Sequence, residues 1–213
     1  MAPQRQLAYF GYLAPIIALG FVTVAALADP KFSWQSRSLS SIGEATNQSL
    51  FALGSLDQIA FLLFNGGLLL GGVLGLPFMY GLWLSEGKPK QVYGYVALAT
   101  TLASMAGVGI AYLDGPLDSI HLIFATLLFF SLTFTLWFFG TGRVIQGRSR
   151  YGLTWIWIAN VHAIVWVVWI MLEGLVWTND SYWTWFAVPE YVGAVLIGAW
   201  IVGQAWLIRT GKL

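Results

Sequence analysis

Residues 57–84 read DQIAFLLFNGGLLLGGVLGLPFMYGLWL, with one acid at the start and no other charge. A crossing of the hydrocarbon core needs about 20 mostly apolar residues, and this run exceeds that length. Five further stretches qualify: Leu7–Ala28, Val92–Leu113, Ser119–Thr141, Gly152–Leu172 and Pro189–Ile208. Charges gather at the ends of these runs, as lipid demands. An ion at mid-helix costs about 2.5–3.5 kcal/mol, against a gain of roughly 0.3–0.6 kcal/mol for a Leu or Phe. The reading is an all-α polytopic membrane protein, a six-helix bundle forming one domain over residues 1–213.

Composition agrees. The 213 residues are 58% hydrophobic and 9% charged, and mean hydropathy is +0.74. A soluble domain carries roughly 25% charged residues. The net charge of +1 offers no basic face for phosphates, which excludes nucleic acid as a partner. With no cysteine, disulfides, thiolate catalysis, iron–sulfur clusters and Cys-based zinc sites are excluded. No lysine lies within a span, so a retinal-type Schiff base has no amine. Neither a Gly-x-Ser-x-Gly elbow nor a phosphate loop is present.

Arg5, Lys88, Lys90, Arg143, Arg148, Arg150, Arg209 and Lys212 fall on one side of a six-span map, and only Lys31 and Arg37 on the other. The positive-inside rule then puts both termini in the cytoplasm of a cell-membrane protein. Asp29, Glu44, Asp57, Asp114, Asp118, Glu173, Asp180 and Glu190 collect outside, leaving Glu86 as the inside acid. Arg5, the first apolar run and Ala26-Leu27-Ala28 mimic a secretory signal. The run is long for one, and the first span is read as an uncleaved anchor. The outside segments Asp29–Leu56 and Glu173–Val188 are long enough to fold over the bundle mouth. Trp177, Tyr182, Trp183 and Trp185 suit an interfacial aromatic belt or a ligand lid.

Small residues suggest how the spans meet. Gly67, Gly71 and Gly75 recur at steps of four in the second span, Ala99, Ala103, Gly107 and Ala111 in the third, and Ala194 and Gly198 in the last. Such stripes let backbones approach closely, so the second and third spans are expected to pack tightly. Pro15 and Pro77 are expected kinks.

The polar residues carry the functional question. Asn65 lies about 12 Å below its helix end at 1.5 Å per residue, and His162, accompanied by Asn160, lies near the middle of the fifth span. Groups at such depth face the protein and find partners. Trp155, His162, Trp166, Trp169 and Glu173 share one helix face. That stripe either lines a pocket for an amphiphile with a polar head or forms an interhelix seam. At the outer mouth, Asp114, Asp118 and His121 lie close in sequence, with His121 within reach of Asp118. With Asp57, Glu173 and Glu190 they make a ring that either binds a divalent metal or works as an acid–base pair. The alternative is ordinary helix capping. Two histidines at different depths argue against haem, and no cofactor is called for beyond a bound lipid.

Ser38-Leu39-Ser40-Ser41-Ile42-Gly43, then Phe64-Asn65-Gly66-Gly67-Leu68, then Asp114 shortly before His121 resemble a prokaryotic, largely archaeal membrane family known as domain of unknown function 998. That family is in turn distantly similar to the eukaryotic Frag1/DRAM/Sfk1 membrane proteins, some of which handle lipids or lipid anchors. The resemblance implies Asn65, Asp114 and His121 as functional positions. Where the family tends to have Phe-Pro before the acid, this chain has Tyr112-Leu113.

The leading expectation is a protein that binds or handles a membrane lipid through an outward-facing cavity. Asn65, His121, His162 and Glu173 would form its polar lining, and Trp166 and Trp169 its apolar wall. A non-catalytic accessory or scaffold subunit with membrane-protein partners is the second. The third is a metal-dependent lipid hydrolase using Asp114, Asp118 and His121.

Overall fold

A computed structural model describes residues 2–45, 56–86, 92–177 and 184–213. Lys88, Lys90, Asp180, Tyr182 and Trp183, which enter the charge map and the aromatic belt, lie outside the described residues. The chain forms helices α1 (Pro3–Leu7), α2 (Phe10–Ala28), α3 (Leu56–Glu86), α4 (Val92–Ile110), α5 (His121–Ile145), α6 (Ser149–Leu175) and α7 (Ala187–Thr210). Short 3-10 helices occupy Leu39–Gly43 and Asp118–Ile120. With α1 and α2 counted as one crossing, six helical stretches are long and apolar enough to span a membrane. The protein is an all-α, six-helix polytopic bundle. Both termini lie at one end, where Arg209 stacks on the Tyr9 ring at 4.3 Å. That basic end also carries Arg5, Arg148, Arg150 and Lys212, and the opposite end carries most of the acids.

Helices α2 to α6 pack as successive neighbours, and α7 returns against α2, α5 and α6. The core has two layers. Toward the basic end, Phe78, Leu98, Leu136, Phe139 and Trp200 interlock. Toward the acidic end, Val22, Ile42, Phe64, Leu68 and Leu128 do the same. Both α2 and α3 continue through their prolines, Pro15 and Pro77.

The glycine stripe serves two neighbours. Gly67 faces Phe21 and Gly71 faces Ala18, both on α2, whereas Gly75 faces Leu102 on α4. A step of four overshoots a 3.6-residue turn by about 40°, so the two steps from Gly67 to Gly75 rotate the stripe by about 80°, from one partner to the next. The tight α3–α4 approach depends on other glycines. A β-carbon at Gly72 would lie 2.5 Å from the Leu102 carbonyl oxygen, and one at Gly109 2.5 Å from that of Asn65. On α4 the alanine stripe divides: Ala103 is exposed, and Gly107 packs on Phe124 of α5. Between α4 and α5 a buried hydroxyl cluster replaces bare backbone, with Thr101 Oγ1 at 2.9 Å from Ser131 Oγ and 3.3 Å from Thr135 Oγ1.

One expected loop charge proves to be interior. Arg143 lies in the last turn of α5, which runs beyond the expected end at Thr141, and its side chain is 2% exposed. Its guanidinium donates to the Glu86 carboxylate at the end of α3, to Gln204 Oε1 on α7 at 3.1 Å and to Gln146 Oε1 at 3.1 Å. Gln204 Nε2 in turn donates to the Tyr151 hydroxyl of α6 at 2.8 Å. One cation thus ties four helices, because the counter-charge and the amide acceptors remove the penalty of burying it alone.

Arg143→Met leaves Glu86 buried without its counter-charge and should cost about 3–5 kcal/mol, read as a lowered thermal midpoint in detergent. The double substitution Arg143→Met/Glu86→Leu removes both charges and should recover most of that loss. Equal losses in the single and double variants would remove this pair from the account of stability.

Candidate functional site

The acidic end is closed by the segment before α3. Ser38 caps the 3-10 helix, its Oγ accepting from Ser41 N at 3.3 Å. The buried Glu190 carboxylate, in the first turn of α7, accepts from Leu39 N at 2.6 Å. Asn65 Nδ2 donates to the carbonyls of Gly43 and Phe61, each at 3.1 Å. Ala45 N donates to Leu113 O at 2.9 Å, which joins the segment to the α4–α5 loop. Asp114 in that loop has a φ of 56° and sits beside Glu44. Loss of water around Glu44, together with the Asp114 carboxyl, holds its pKa above the ordinary 4.5 despite the Arg37 guanidinium at 2.9 Å. His121 does not turn toward Asp118. Its Nδ1 meets the Ala111 carbonyl at 2.5 Å, fastening the start of α5 to the end of α4. Asn65, Asp114 and His121 therefore belong to one plug, with Asn65 and His121 buried.

The expected acidic ring is dispersed among separate partners. Asp57 pairs with Lys31 at 2.9 Å, Glu190 with a backbone amide, and His121 with the Ala111 carbonyl. Among the described residues, no three of His, Asp and Glu are grouped to hold a metal ion, so Asp114, Asp118 and His121 are not brought together as ligands. Beneath the plug is a small apolar cavity of about 70 Å³, bordered by Leu39, Ser40, Glu190, Gly71, Gly198 and Phe129.

The stripe on α6 forms a second centre. His162 is 1% exposed. Trp166 Nε1 donates to its Nε2 at 3.1 Å, and its Nδ1 lies 2.9 Å from Thr133 Oγ1 on α5. An indole can only donate, so Nε2 is the acceptor. Nδ1 therefore carries the proton of a neutral ring and donates it to Thr133. Thr133 Oγ1 in turn donates a hydrogen bond to the Phe129 carbonyl at 3.2 Å. Gly193 of α7 leaves room for the imidazole, because a β-carbon there would lie 2.8 Å from Nε2. The histidine is a seam residue whose consequence is a fixed Trp166 indole. Beyond it, Trp169 Nε1 donates to Thr184 O at 2.9 Å, and its ring packs on Phe186 at 4.5 Å. Glu173 follows one turn further on, half-buried. Trp155, at the other end of the stripe, joins the basic-end core instead.

Helices α5 and α6 touch most closely at Gly140 and Gly152, where a β-carbon on Gly140 would lie 2.8 Å from the Gly152 carbonyl. Past that contact the facing side chains become large, and a groove of about 460 Å³ opens between the helices. Trp166 and Trp169 line it from α6, and Phe129, Phe134 and Trp137 from α5. His162 stands behind this wall, and Asn65 and His121 belong to the plug. The sequence-based lining is thus split between two places. The aromatic residues contributed by α5 carried no signal, since their positions read as ordinary span residues until α6 is placed beside them.

A six-span bundle with a hydrogen-bonded plug at one end and an aromatic groove between its fifth and sixth crossings defines an integral membrane protein of multi-pass type. The chain belongs to the family described as protein of unknown function, DUF998, whose model matches residues 12–207. No curated protein and no solved structure matches it.

The plug generates a pH dependence. The unfolded chain releases the Glu44 proton near 4.5 and the folded chain releases it higher. Between those values the folded state holds more protons, so stability falls as pH rises and then levels off. Glu44→Gln should remove that part of the slope and raise the thermal midpoint slightly at neutral pH, measured by unfolding scans from about pH 4 to 7. An unchanged slope would refute the assignment to Glu44.

Proposed function

We propose that this protein binds a membrane lipid or related amphiphile in the groove between α5 and α6. The observation that carries the reading is the pairing of a groove of about 460 Å³ with a wall indole that is held by a buried histidine. Small-molecule sites are concave and mostly apolar, with a few fixed polar groups. A chance gap between lipid-facing helices has no need of a His–Trp hydrogen bond to fix its wall. In this reading Trp166 and Trp169 are the contact surface and His162 is a positioning residue. Asn65, His121 and Asp114 shape the plug, and Glu173 stands beyond Trp169 on α6. A second reading is an accessory subunit of a larger membrane complex. It is favoured by α6, which buries only Gly152, Ala159 and His162 and leaves Trp157 70% exposed.

The proposal also places both termini in the cytoplasm of the cell membrane. It is supported by Arg5, Arg148, Arg150, Arg209 and Lys212 at one end, against Lys31 and Arg37 at the other.

Native mass spectrometry of gently solubilised protein should show a retained lipid. Trp169→Ala should reduce its occupancy by about tenfold, equivalent to roughly 1.4 kcal/mol, and His162→Ala should do so more weakly. Unchanged occupancy in both would reject the groove. A stoichiometric partner that co-purifies from native membranes in place of lipid would favour the second reading. For orientation, the absence of native cysteine makes single substitutions unambiguous. Ser36→Cys should react with an impermeant maleimide on intact cells, and Ser149→Cys only after lysis; the reverse pattern would invert the map.

A further inference from the structure

Asn160 lies on the groove wall, is exposed, and makes no hydrogen bond among the described residues. It is two residues from the centre of α6, about 3 Å along the axis at 1.5 Å per residue. Lipid tails offer a carboxamide nothing, so a polar side chain at that depth calls for a partner. Asn65, Thr101, Arg143 and His162, by contrast, each find a side-chain or carbonyl partner within the bundle. From these observations we infer that the groove holds an uncharged lipid with a flat, carbonyl-bearing head of the quinone type, whose carbonyl oxygen accepts from the Asn160 amide. The inference rests on the proposed groove and adds its ligand class.

Three features select that class. First, no charged side chain lines the groove, and an ionised head at the bilayer middle would be strongly penalised. Phospholipids keep their phosphates and esters near the interface, so their chains can fill the groove but their polar groups cannot reach Asn160. Second, Asn160 is flanked by rings at its own depth. Counted from the acidic end, Asn160 is about 22 Å down α6, and Trp137 about 24 Å and Phe134 about 20 Å down α5. Their rings lie 6.4 Å apart at 46°. Aromatic walls favour a flat ring over a branched or puckered head. Third, a volume of about 460 Å³ falls within the roughly 300–1,000 Å³ of small-molecule sites, enough for a ring and the first part of a tail.

The test uses the full chain in phosphatidylcholine nanodiscs titrated with decylubiquinone, with bound quinone counted by native mass spectrometry. Wild type should bind it saturably. Asn160→Leu should weaken binding about three- to tenfold, as loss of one neutral hydrogen bond implies. Thr154→Leu, on an exposed part of α6 outside the groove, should bind like wild type. Saturable binding that Asn160→Leu leaves unchanged would overturn the inference. So would retention of phospholipid alone in a Trp169-dependent manner, although the groove would then stand. Retention of neither molecule would overturn both readings. A change of oligomeric state in Asn160→Leu would assign the amide to a helix partner and overturn the ligand class.

Discussion

Hydrocarbon offers no hydrogen bond, so the polar side chains that tie this bundle together are answered from within the protein. Helices satisfy the backbone, and the side chains follow the same rule at separate levels. At the basic end, Arg143 is answered by Glu86, Gln146 and Gln204. Between α4 and α5, Thr101 meets Ser131 and Thr135. Between α5 and α6, His162 links Trp166 to Thr133. At the acidic end, Asn65 and Glu190 hold the 3-10 segment. Each tie joins elements that lipid alone would not bring together, because apolar helix faces gain little by leaving equally apolar tails.

The crossings were legible because the insertion cost of a charge far exceeds the gain from one apolar residue, so their limits stand out in a single sequence. What sequence could not give was direction around each helix axis. Gly67, Gly71 and Gly75 form a stripe in the linear reading, yet the excess rotation per step sends the first two to α2 and the third to α4. Gly72 and Gly109, which make the closest α3–α4 approach, belong to no such series. Arg143 was read as a loop charge because its partner Glu86 lies 57 residues away. An isolated arginine near a span end looks the same whether it reaches water or a buried carboxylate.

The candidate site was legible in pieces. The stripe of His162, Trp166 and Trp169 followed from helical spacing, and the structure keeps those three together. Asn65 was correctly marked as a deep polar group needing a partner, but that partner is the Gly43 carbonyl in a segment with no helical period to place it. His121 looked paired with Asp118 by proximity in sequence. The 3-10 turn at Asp118–Ile120 instead turns the imidazole back onto Ala111. Short-range spacing failed where the backbone left the α-helix, since residue periodicity has meaning only inside a regular element.

The cavity under the plug and the groove meet at Ala125 and Phe129 of α5. Phe129 borders both the small cavity under the plug and the groove facing lipid, and its ring packs on Trp166 at 4.8 Å. The two spaces lie on opposite sides of α5, and those sides are packed differently. On the inner side, glycine and alanine on α2, α3 and α7 interlock, and separating them would forfeit close backbone packing. On the lipid side, α6 is held by the Gly140–Gly152 contact near the basic end and by His162 near its middle. An element with few interior contacts opens at lower free energy than one that is fully packed. The boundary between α5 and α6 is packed less fully than that between α2 and α3, and the aromatic side chains that separate α5 from α6 also form the walls of the groove.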